Sequence, residues 1–195
     1  DHGDVCGDHA LHAKGVRPYD AGIRCPLIVA GGDVQPSVSE DLVCALDFFP
    51  SFCDWAEIDS SQLPPLEGKS FTPLCSGSKQ DEPWESVSVA FGPVESVISA
   101  DGWRLTVFDE PDSPNQLINL VEDPTEQVNR YNDPDCIDVR TRLLEEMVAH
   151  NIRIRTLPQY RNLPVVDGKK VTPGGAGNGK IVNPIPIYCD ATKTP

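Results

Sequence analysis

The sequence has few basic residues, few aromatic residues and a single methionine. Lys and Arg total 16 against 30 Asp and Glu, which gives a formal net charge of −14 and a pI near 4.5. Nucleic-acid binding depends on clustered Lys and Arg, so this balance argues against a nucleic-acid partner. It does not exclude an anionic substrate, because one lysine and a metal ion in a pocket outweigh a distant, salt-screened surface charge.

Long apolar runs and paired cysteines are also missing. No run approaches the roughly 18 apolar residues of a membrane span, so none is predicted. The seven cysteines are an odd number, and none lies in a CxxC pair or a Cys/His cluster with zinc spacing. We expect mainly buried, reduced thiols, with one or two disulfides left open.

The first 80 residues combine a glycine-rich loop with two apolar segments. Residues 1–25 hold four glycines and three of the four histidines, so we expect function here. The apolar run 25–30, closed by Gly31 and Gly32, predicts a buried strand of an α/β sheet. Apolar positions from Leu42 to Trp55 predict a helix, with capping residues at 37–41 and Pro50 breaking it or starting a second one. Residues 59–85 are predicted to be an irregular connector.

The second half alternates apolar and polar residues with the period of β-strands. An Asp101-Gly102 turn separates two of the segments. Residues 135–154 predict an amphipathic helix that covers one face of the sheet, and the tail from 156 is expected to be extended. The predicted strands are 87–91, 95–99, 103–108 and 116–120.

Acidic and imidazole side chains cluster at the start of the chain. Asp1 and His2 precede a glycine turn, and such a set could ligate a divalent metal. The residues alone leave a second interpretation open, in which Asp1 and His2 cap a turn and the other histidines lie on a solvated loop. The neighbouring candidates are Asp4, Asp8, His9 and His12.

A series of short motifs runs along residues 1–150. They are Asp-His-Gly-Asp at 1–4, Gly7-Asp8-His9, Lys14-Gly15, Pro18-Tyr19-Asp20, and the segments 22–28, 101–105, 116–120 and 122–130. Through these motifs, residues 1–150 resemble the formylglycine-dependent sulfatases of the alkaline phosphatase superfamily. The resemblance implies an α/β fold: the C-terminal part of a sulfatase/alkaline-phosphatase-like sandwich, with a small four-stranded antiparallel sheet packed on a helix. Together with the composition of the connector and the tail, it predicts a catalytic-domain portion at 1–80, a sheet-plus-helix subdomain at 81–155 and an extended tail at 156–195.

The resemblance also implies roles for four residues. Asp1 would ligate the metal beside the nucleophile, and His2 would contact the metal or the nucleophile. Lys14 would bind the sulfate oxygens, while His9 would either contact substrate or hold the loop. Calcium is the expected metal, with magnesium, manganese or zinc as alternatives. Asp20, Arg24 and Pro26 are expected to have structural roles.

One part of the family pattern is absent from the sequence. No Cys/Ser-x-Pro/Ala-x-Arg motif, the source of the formylglycine, occurs in these 195 residues. Cys136 and Arg140 have the outer spacing, but Asp138 replaces Pro or Ala between them. Because the only methionine is Met147 and residue 1 would end a core strand, we expect a piece of a longer protein, inactive alone, whose missing half supplies the formylglycine and the other metal carboxylates.

Three functions follow as hypotheses. The first is a sulfuric ester hydrolase acting on a small-molecule or carbohydrate sulfate ester. The second is a phosphonate or phosphate ester hydrolase of the same superfamily, and the third is a non-catalytic binding module. A periplasmic or secreted location is favoured over the cytoplasm.

Overall fold

The computed structural model describes residues 2–12, 17–59, 63, 65–156, 165–166 and 169–170. The chain divides into two units, Asp1–Met147 and Val148–Pro195. Within the first unit we distinguish a loop region, residues 2–83, from a sheet region, residues 84–147. The second unit contains the end of a long helix and one antiparallel strand pair, β5 (Val165–Val166) with β6 (Lys169–Lys170). The predicted tail otherwise lies outside the described residues.

Four antiparallel strands form the sheet in the order β1-β2-β3-β4. They are β1 (Ser86–Phe91), β2 (Val94–Ser99), β3 (Trp103–Phe108) and β4 (Gln116–Asn119). Their short connections suit neighbouring antiparallel strands. Gly102, at φ 85°, makes the turn between β2 and β3 and donates its N–H to Ser99 O at 2.9 Å. The predicted fold class and all four strands are confirmed.

A long helix, α4 (Ile137–Thr156), follows a 3-10 turn at Pro134–Cys136. Asp133 caps this turn, because its carboxylate accepts the Asp135 N–H at 3.0 Å. Apolar side chains from the sheet and from the start of the helix then form one buried cluster. Its buried members are Val97, Leu105, Leu117, Cys136, Leu143 and Met147.

The helices among the described residues of the loop region are short. These are α1 (Asp20–Ile23), α2 (Phe48–Trp55), α3 (Thr72–Cys75), and 3-10 turns at Asp8–Ala10 and Ala45–Asp47. The strand predicted at 25–30 is wrong: the segment is extended but is no strand, and Leu27 and Ile28 are 42% and 87% exposed. A strand needs a neighbour to receive its N–H and C=O groups, and no described residue pairs with this segment.

The helix predicted from the apolar positions 42–55 is also shorter than expected. It becomes α-helical only at Phe48, and Pro50 lies in its first turn, where the missing N–H costs nothing. Phe49, Phe52 and Trp55 are largely exposed. Phe71 packs edge-on against Phe48 and Trp55, but no described element covers the rest of the apolar stripe, so packing does not extend the helix toward residue 42.

A buried carboxylate, that of Asp47, fastens the connector to the sheet region. Asp47 is fully buried and accepts the backbone N–H groups of Cys44 and Lys69, each at 2.7 Å. It also accepts the indole Nε1–H of Trp84 at 3.0 Å. Gly68 allows this approach, because a Cβ there would lie 2.0 Å from the Leu46 carbonyl oxygen. These donors satisfy a charge that is otherwise expensive to bury.

Among the described residues, no helix is both long enough and apolar enough to cross a membrane.

Candidate active-site loop

The glycine-rich loop folds tightly and contains backbone conformations that are rare outside glycine. Cys6, His9 and Ala10 have φ angles of 46°, 49° and 58°, in the left-handed region. Such residues persist only where the surrounding structure holds them, and they concentrate at functional sites. The loop therefore needs anchors.

His2 lies at the exposed start of the loop, on the wall of an open cleft of about 1780 Å³. Its Nδ1 is 2.6 Å from the Gly3 carbonyl oxygen, which can only accept, so Nδ1 carries the proton. The Gly3 N–H in turn donates to Gly22 O in α1 at 3.0 Å. A Cβ on Gly3 would lie 2.1 Å from the Ala21 carbonyl oxygen, so only glycine fits against α1 here.

His9 lies at the other end of the described loop, in a half-buried position. Its ring stacks on Tyr19, with the ring centroids 3.7 Å apart and the planes 7° from parallel. Its Nε2 is 3.9 Å from Oε2 of Glu126, in the turn that follows β4. No described residue forms a hydrogen bond with this nitrogen. The imidazole therefore packs between a loop residue and the sheet region.

Glu126 and Arg104 form a buried ion pair beneath the loop. Arg104 is 0% exposed and the Glu126 side chain 2%, and a guanidinium Nη1–H donates to Glu126 Oε1. Glu126 Oε2 accepts the backbone N–H of Asp20, the first residue of α1, at 3.0 Å. Arg104 also lies 3.9 Å from an Asp20 carboxylate oxygen, and its guanidinium carbon is 5.6 Å from the centre of the Tyr19 ring. One ion pair thus reaches both ends of the loop.

The electrostatics of this pair are costly. Burial raises the pKa of Glu126, and the Arg104 guanidinium and the Asp20 N–H oppose that rise. The Nε and Nη2 atoms of Arg104 are buried without a hydrogen-bond partner in the described part of the chain. Unpaired buried donors and desolvated charges both work against stability.

The turn that carries Glu126 is itself rigidly held. Asp123 accepts the Val128 N–H at 2.8 Å, and Asn129 accepts the Leu117 N–H of β4 at 3.0 Å. Glu126 adopts φ 56°, so it shares the left-handed conformation of His9, which it faces. The segment 122–130 therefore presents a fixed carboxylate to the loop.

Of the four predicted site residues, the structure describes two. His2 and His9 are placed as above, whereas Asp1 and Lys14 lie outside the described residues. Asp4 and Asp8 form hydrogen bonds within the loop, with Asp4 accepting the Cys6 N–H at 3.0 Å and Asp8 the His9 N–H at 3.1 Å. The roles assigned to Asp1, His2, His9 and Lys14 stay predictions, as do the domain boundaries and the compartment.

The described residues do not make a metal site by themselves. They contain no group of three or more His, Cys, Asp or Glu side chains close enough to hold an ion. The donor set at the start of the loop is one imidazole, His2, whereas calcium and magnesium take oxygen ligands. A metal at this position needs Asp1 and further carboxylates.

The cysteines show no nucleophile of the family type. Within the described residues six cysteines are free thiols. Cys136 is buried in the core, where burial raises the pKa of its thiol. Arg140 is occupied with Tyr131, whose carbonyl accepts a guanidinium N–H. The Cys136–Arg140 spacing is therefore structural.

Sequence reasoning missed the pairing of Arg104 with Glu126. Both residues lie in segments that resemble the sulfatases. Strand alternation, however, places Arg104 on the face of the sheet opposite to Leu105, so it predicts that the Arg104 side chain is exposed to solvent. The signal that could have found the pair is that Arg104 is the only charged residue of β3, since a charge within a strand must be solvated or paired.

A family model described as N-sulphoglucosamine sulphohydrolase, C-terminal, matches residues 7–153. A choline-sulfatase from Rhizobium meliloti (strain 1021) is 28% identical over 138 residues, which cover 69% of this chain and 26% of that protein. The solved structure of a 2-O GAG sulfatase superposes with a TM-score of 0.68 at 25% identity, covering 84% of this chain and 36% of that one. The chain thus spans about a quarter to a third of the length of these relatives.

A phosphonate monoester hydrolase from Silicibacter pomeroyi also has this fold. It superposes with a TM-score of 0.66 at 22% identity, covering 88% of this chain and 37% of that one. At this identity the likeness concerns the fold alone.

Proposed function

Because the chain belongs to the family of N-sulphoglucosamine sulphohydrolase C-terminal regions, we propose that it is the C-terminal part of a sulfuric ester hydrolase. The observation that carries the proposal is the extent of the family match. It runs from the loop at residue 7 through the sheet and into α4, and the Asp20 N–H, which donates to Glu126 of the buried Arg104–Glu126 pair, joins the loop region to the sheet region. The motifs at both ends therefore belong to one folded unit.

The chemistry proposed for the loop concerns charge on a sulfate ester. As the ester bond breaks, negative charge develops on the departing and equatorial oxygens. We assign Lys14 to those oxygens, since an ammonium acts as a compact point charge. Asp1 and His2 would hold a divalent cation, with calcium proposed first, and when bound it would neutralise part of the same charge.

The remaining parts of the site are proposed to come from outside this chain. The nucleophile would be a formylglycine, and no motif for its formation occurs among these 195 residues. The other metal carboxylates would come from the same source. The chain alone is expected to release no sulfate.

The test uses the protein in which this chain is joined to such a catalytic half. Choline sulfate, a sulfated sugar and an aryl sulfate are each set in competition with the matching phosphate or phosphonate ester. We expect sulfate release to be faster, and faster turnover of phosphate or phosphonate esters would replace our proposal with the second hypothesis.

Two substitutions test the assigned residues. Lys14→Ala and Asp1→Ala are each expected to lower turnover by about 100-fold or more, the size of effect that removing one transition-state contact has in other enzymes. Lys79→Ala and Asp33→Ala, at exposed positions, are the matched controls and should leave turnover unchanged. If the first pair behaves like the controls, the loop is not catalytic and the binding-module hypothesis takes its place.

A further inference from the structure

We infer that Arg104 and Glu126, in the sheet region, are positioning residues that hold the His2 end of the loop through α1. This inference rests on the proposed function, because His2 is the residue being positioned. Of the two roles predicted for His9, substrate contact and holding the loop, the inference assigns the second.

A series of contacts between described residues connects the ion pair to His2. Glu126 accepts the Asp20 N–H at 3.0 Å, which fixes the first residue of α1. Two residues later in α1, the Gly22 carbonyl accepts the Gly3 N–H at 3.0 Å. Gly3 adjoins His2 and packs so closely on Ala21 that no side chain fits between them. A shift of α1 must therefore move Gly3, and with it His2.

A second contact holds the far end of the loop to the same carboxylate. His9 lies 3.9 Å from Glu126 and stacks on Tyr19, the residue just before α1. His9 and Glu126 both adopt left-handed backbone conformations, at φ 49° and 56°. Two strained residues facing one another indicate that this geometry is held for a reason other than local backbone preference.

Stability alone is a poor explanation of the pair. Arg104 is fully buried yet two of its nitrogen atoms lack a partner in the described part of the chain. A buried ion pair commonly contributes no more than apolar residues of similar volume would. The charges fix the relative orientation of the two side chains, because hydrogen bonds between charged groups are short and geometrically specific.

The kinetic test is a double-mutant cycle between Glu126→Gln and His2→Ala in the active protein. Glu126→Gln keeps the shape of the side chain but removes its charge. In the otherwise unchanged enzyme we expect kcat to fall about 10- to 100-fold, the effect of a small misplacement of a reacting group, with KM changed much less. In the His2→Ala background the same substitution should have almost no further effect, because the positioned residue is gone.

The control is Leu143→Val, which loosens the same sheet from the helix side without touching the loop. It should lower thermal stability but leave kcat unchanged. Arg104→Lys is the second variant: it keeps the charge and loses the planar fork, so a smaller fall in kcat is expected, again only when His2 is present. An equal fall from Glu126→Gln with and without His2, or no fall at all, would overturn the inference.

Amide exchange separates this inference from the proposed function, since it needs no turnover. Glu126→Gln should speed amide exchange at Gly3 and Asp20 by about tenfold or more. In Leu143→Val, the exchange rates of these two amides relative to the exchange rates of the β4 amides should not change. Unchanged exchange at both amides in Glu126→Gln removes the anchoring path. A protein with no sulfate ester turnover but with the expected exchange pattern would instead refute the proposed function and leave the anchoring intact.

Discussion

The loop region and the sheet region are held together by different kinds of contact. In the sheet region, apolar side chains of three strands and one helix meet in a closed cluster around Leu105 and Leu143. In the loop region, large apolar side chains such as Ile28, Phe52 and Trp55 remain exposed, and the few described apolar side chains that are buried, Phe71 among them, occur alongside the buried polar residue Asp47. The sheet region therefore has a contiguous apolar cluster, whereas the described part of the loop region combines scattered apolar burial with polar ties, two of which reach the sheet region at Trp84 and Glu126.

Core truncation should separate the two regions most strongly. Leu117→Ala removes a fully buried side chain from the cluster, so we expect the free energy of unfolding to fall by about 3 kcal/mol. Phe52→Ala in α2 removes a larger side chain that is 58% exposed and should cost less than about 1 kcal/mol. Urea unfolding measures both, and equal losses would mean that the loop region has a core of its own.

Asp47 should be the most important single residue of the loop region. Asp47→Ala leaves the N–H groups of Cys44, Lys69 and Trp84 without their acceptor, so we expect a loss of about 2 to 3 kcal/mol. Asp47→Asn keeps one acceptor oxygen and should lose less. The emission of Trp84 should also change, because its indole N–H loses its partner. A loss below about 0.5 kcal/mol for Asp47→Ala would show that this tie is dispensable.

Thiol reactivity sharpens the comparison within the loop region. Burial, and then the charge of Asp47, raise the pKa of Cys44 to about 11. Fewer than about one in a thousand Cys44 thiols would be ionised at pH 7.5, so alkylation should be slow, since the thiolate is the nucleophile. Exposed Cys25 is the internal reference in the same sample. Peptide mapping after iodoacetamide treatment gives both rates, and equal rates would contradict the burial of Cys44.

The smallest expected effect concerns Asp101, where β2 turns into β3. Burial raises its pKa, but the hydrogen bonds from Ser99 and Arg142, the latter at 2.7 Å, together outweigh it, so the pKa lies below the usual 3.8. A lowered folded-state pKa contributes stability above pH 3.8 that is lost as the pH falls through the folded value. Because the Asp101 side chain is 56% exposed, screening leaves about 0.5 kcal/mol at most.

Asp101→Asn tests this assignment. It should lower the free energy of unfolding slightly at pH 7, and this difference should shrink as the pH falls through the folded-state pKa and the native carboxyl takes up a proton. A difference between the two proteins that grows toward acid would reverse the assigned direction of the pKa shift.

Sequence patterns predicted the sheet region well and the loop region poorly, for a physical reason. β3 lies at 103–108 as predicted, because strands joined by short turns are fixed by alternation and by neighbours a few residues away. The apolar run 25–30 looks like a buried strand, but its state depends on a pairing partner that the run itself does not encode. Periodicity reports which residues tend to be buried, not whether a covering layer is present.

The candidate site shows the same division. The motifs around His2 and His9 were recognisable from residue types and spacing. The hydrogen bond from Asp20 to Glu126 joins residues separated by 106 positions in sequence. Arg104 forms the ion pair with Glu126, although strand alternation predicts that Arg104 is exposed. Such contacts arise from tertiary packing and leave no local periodic signal.

The most direct test of this account is amide hydrogen exchange across residue 25. We expect protection at residues 20–24, where the Asp20 N–H is bonded to Glu126 and the N–H groups of Gly22, Ile23 and Arg24 are bonded within α1. We expect fast exchange at residues 27–30, which form no strand. Strong, strand-like protection at 27–30 in the 195-residue chain, or fast exchange at 20–24, would contradict a loop that is anchored to the sheet region through Glu126 and followed by a segment that forms no strand.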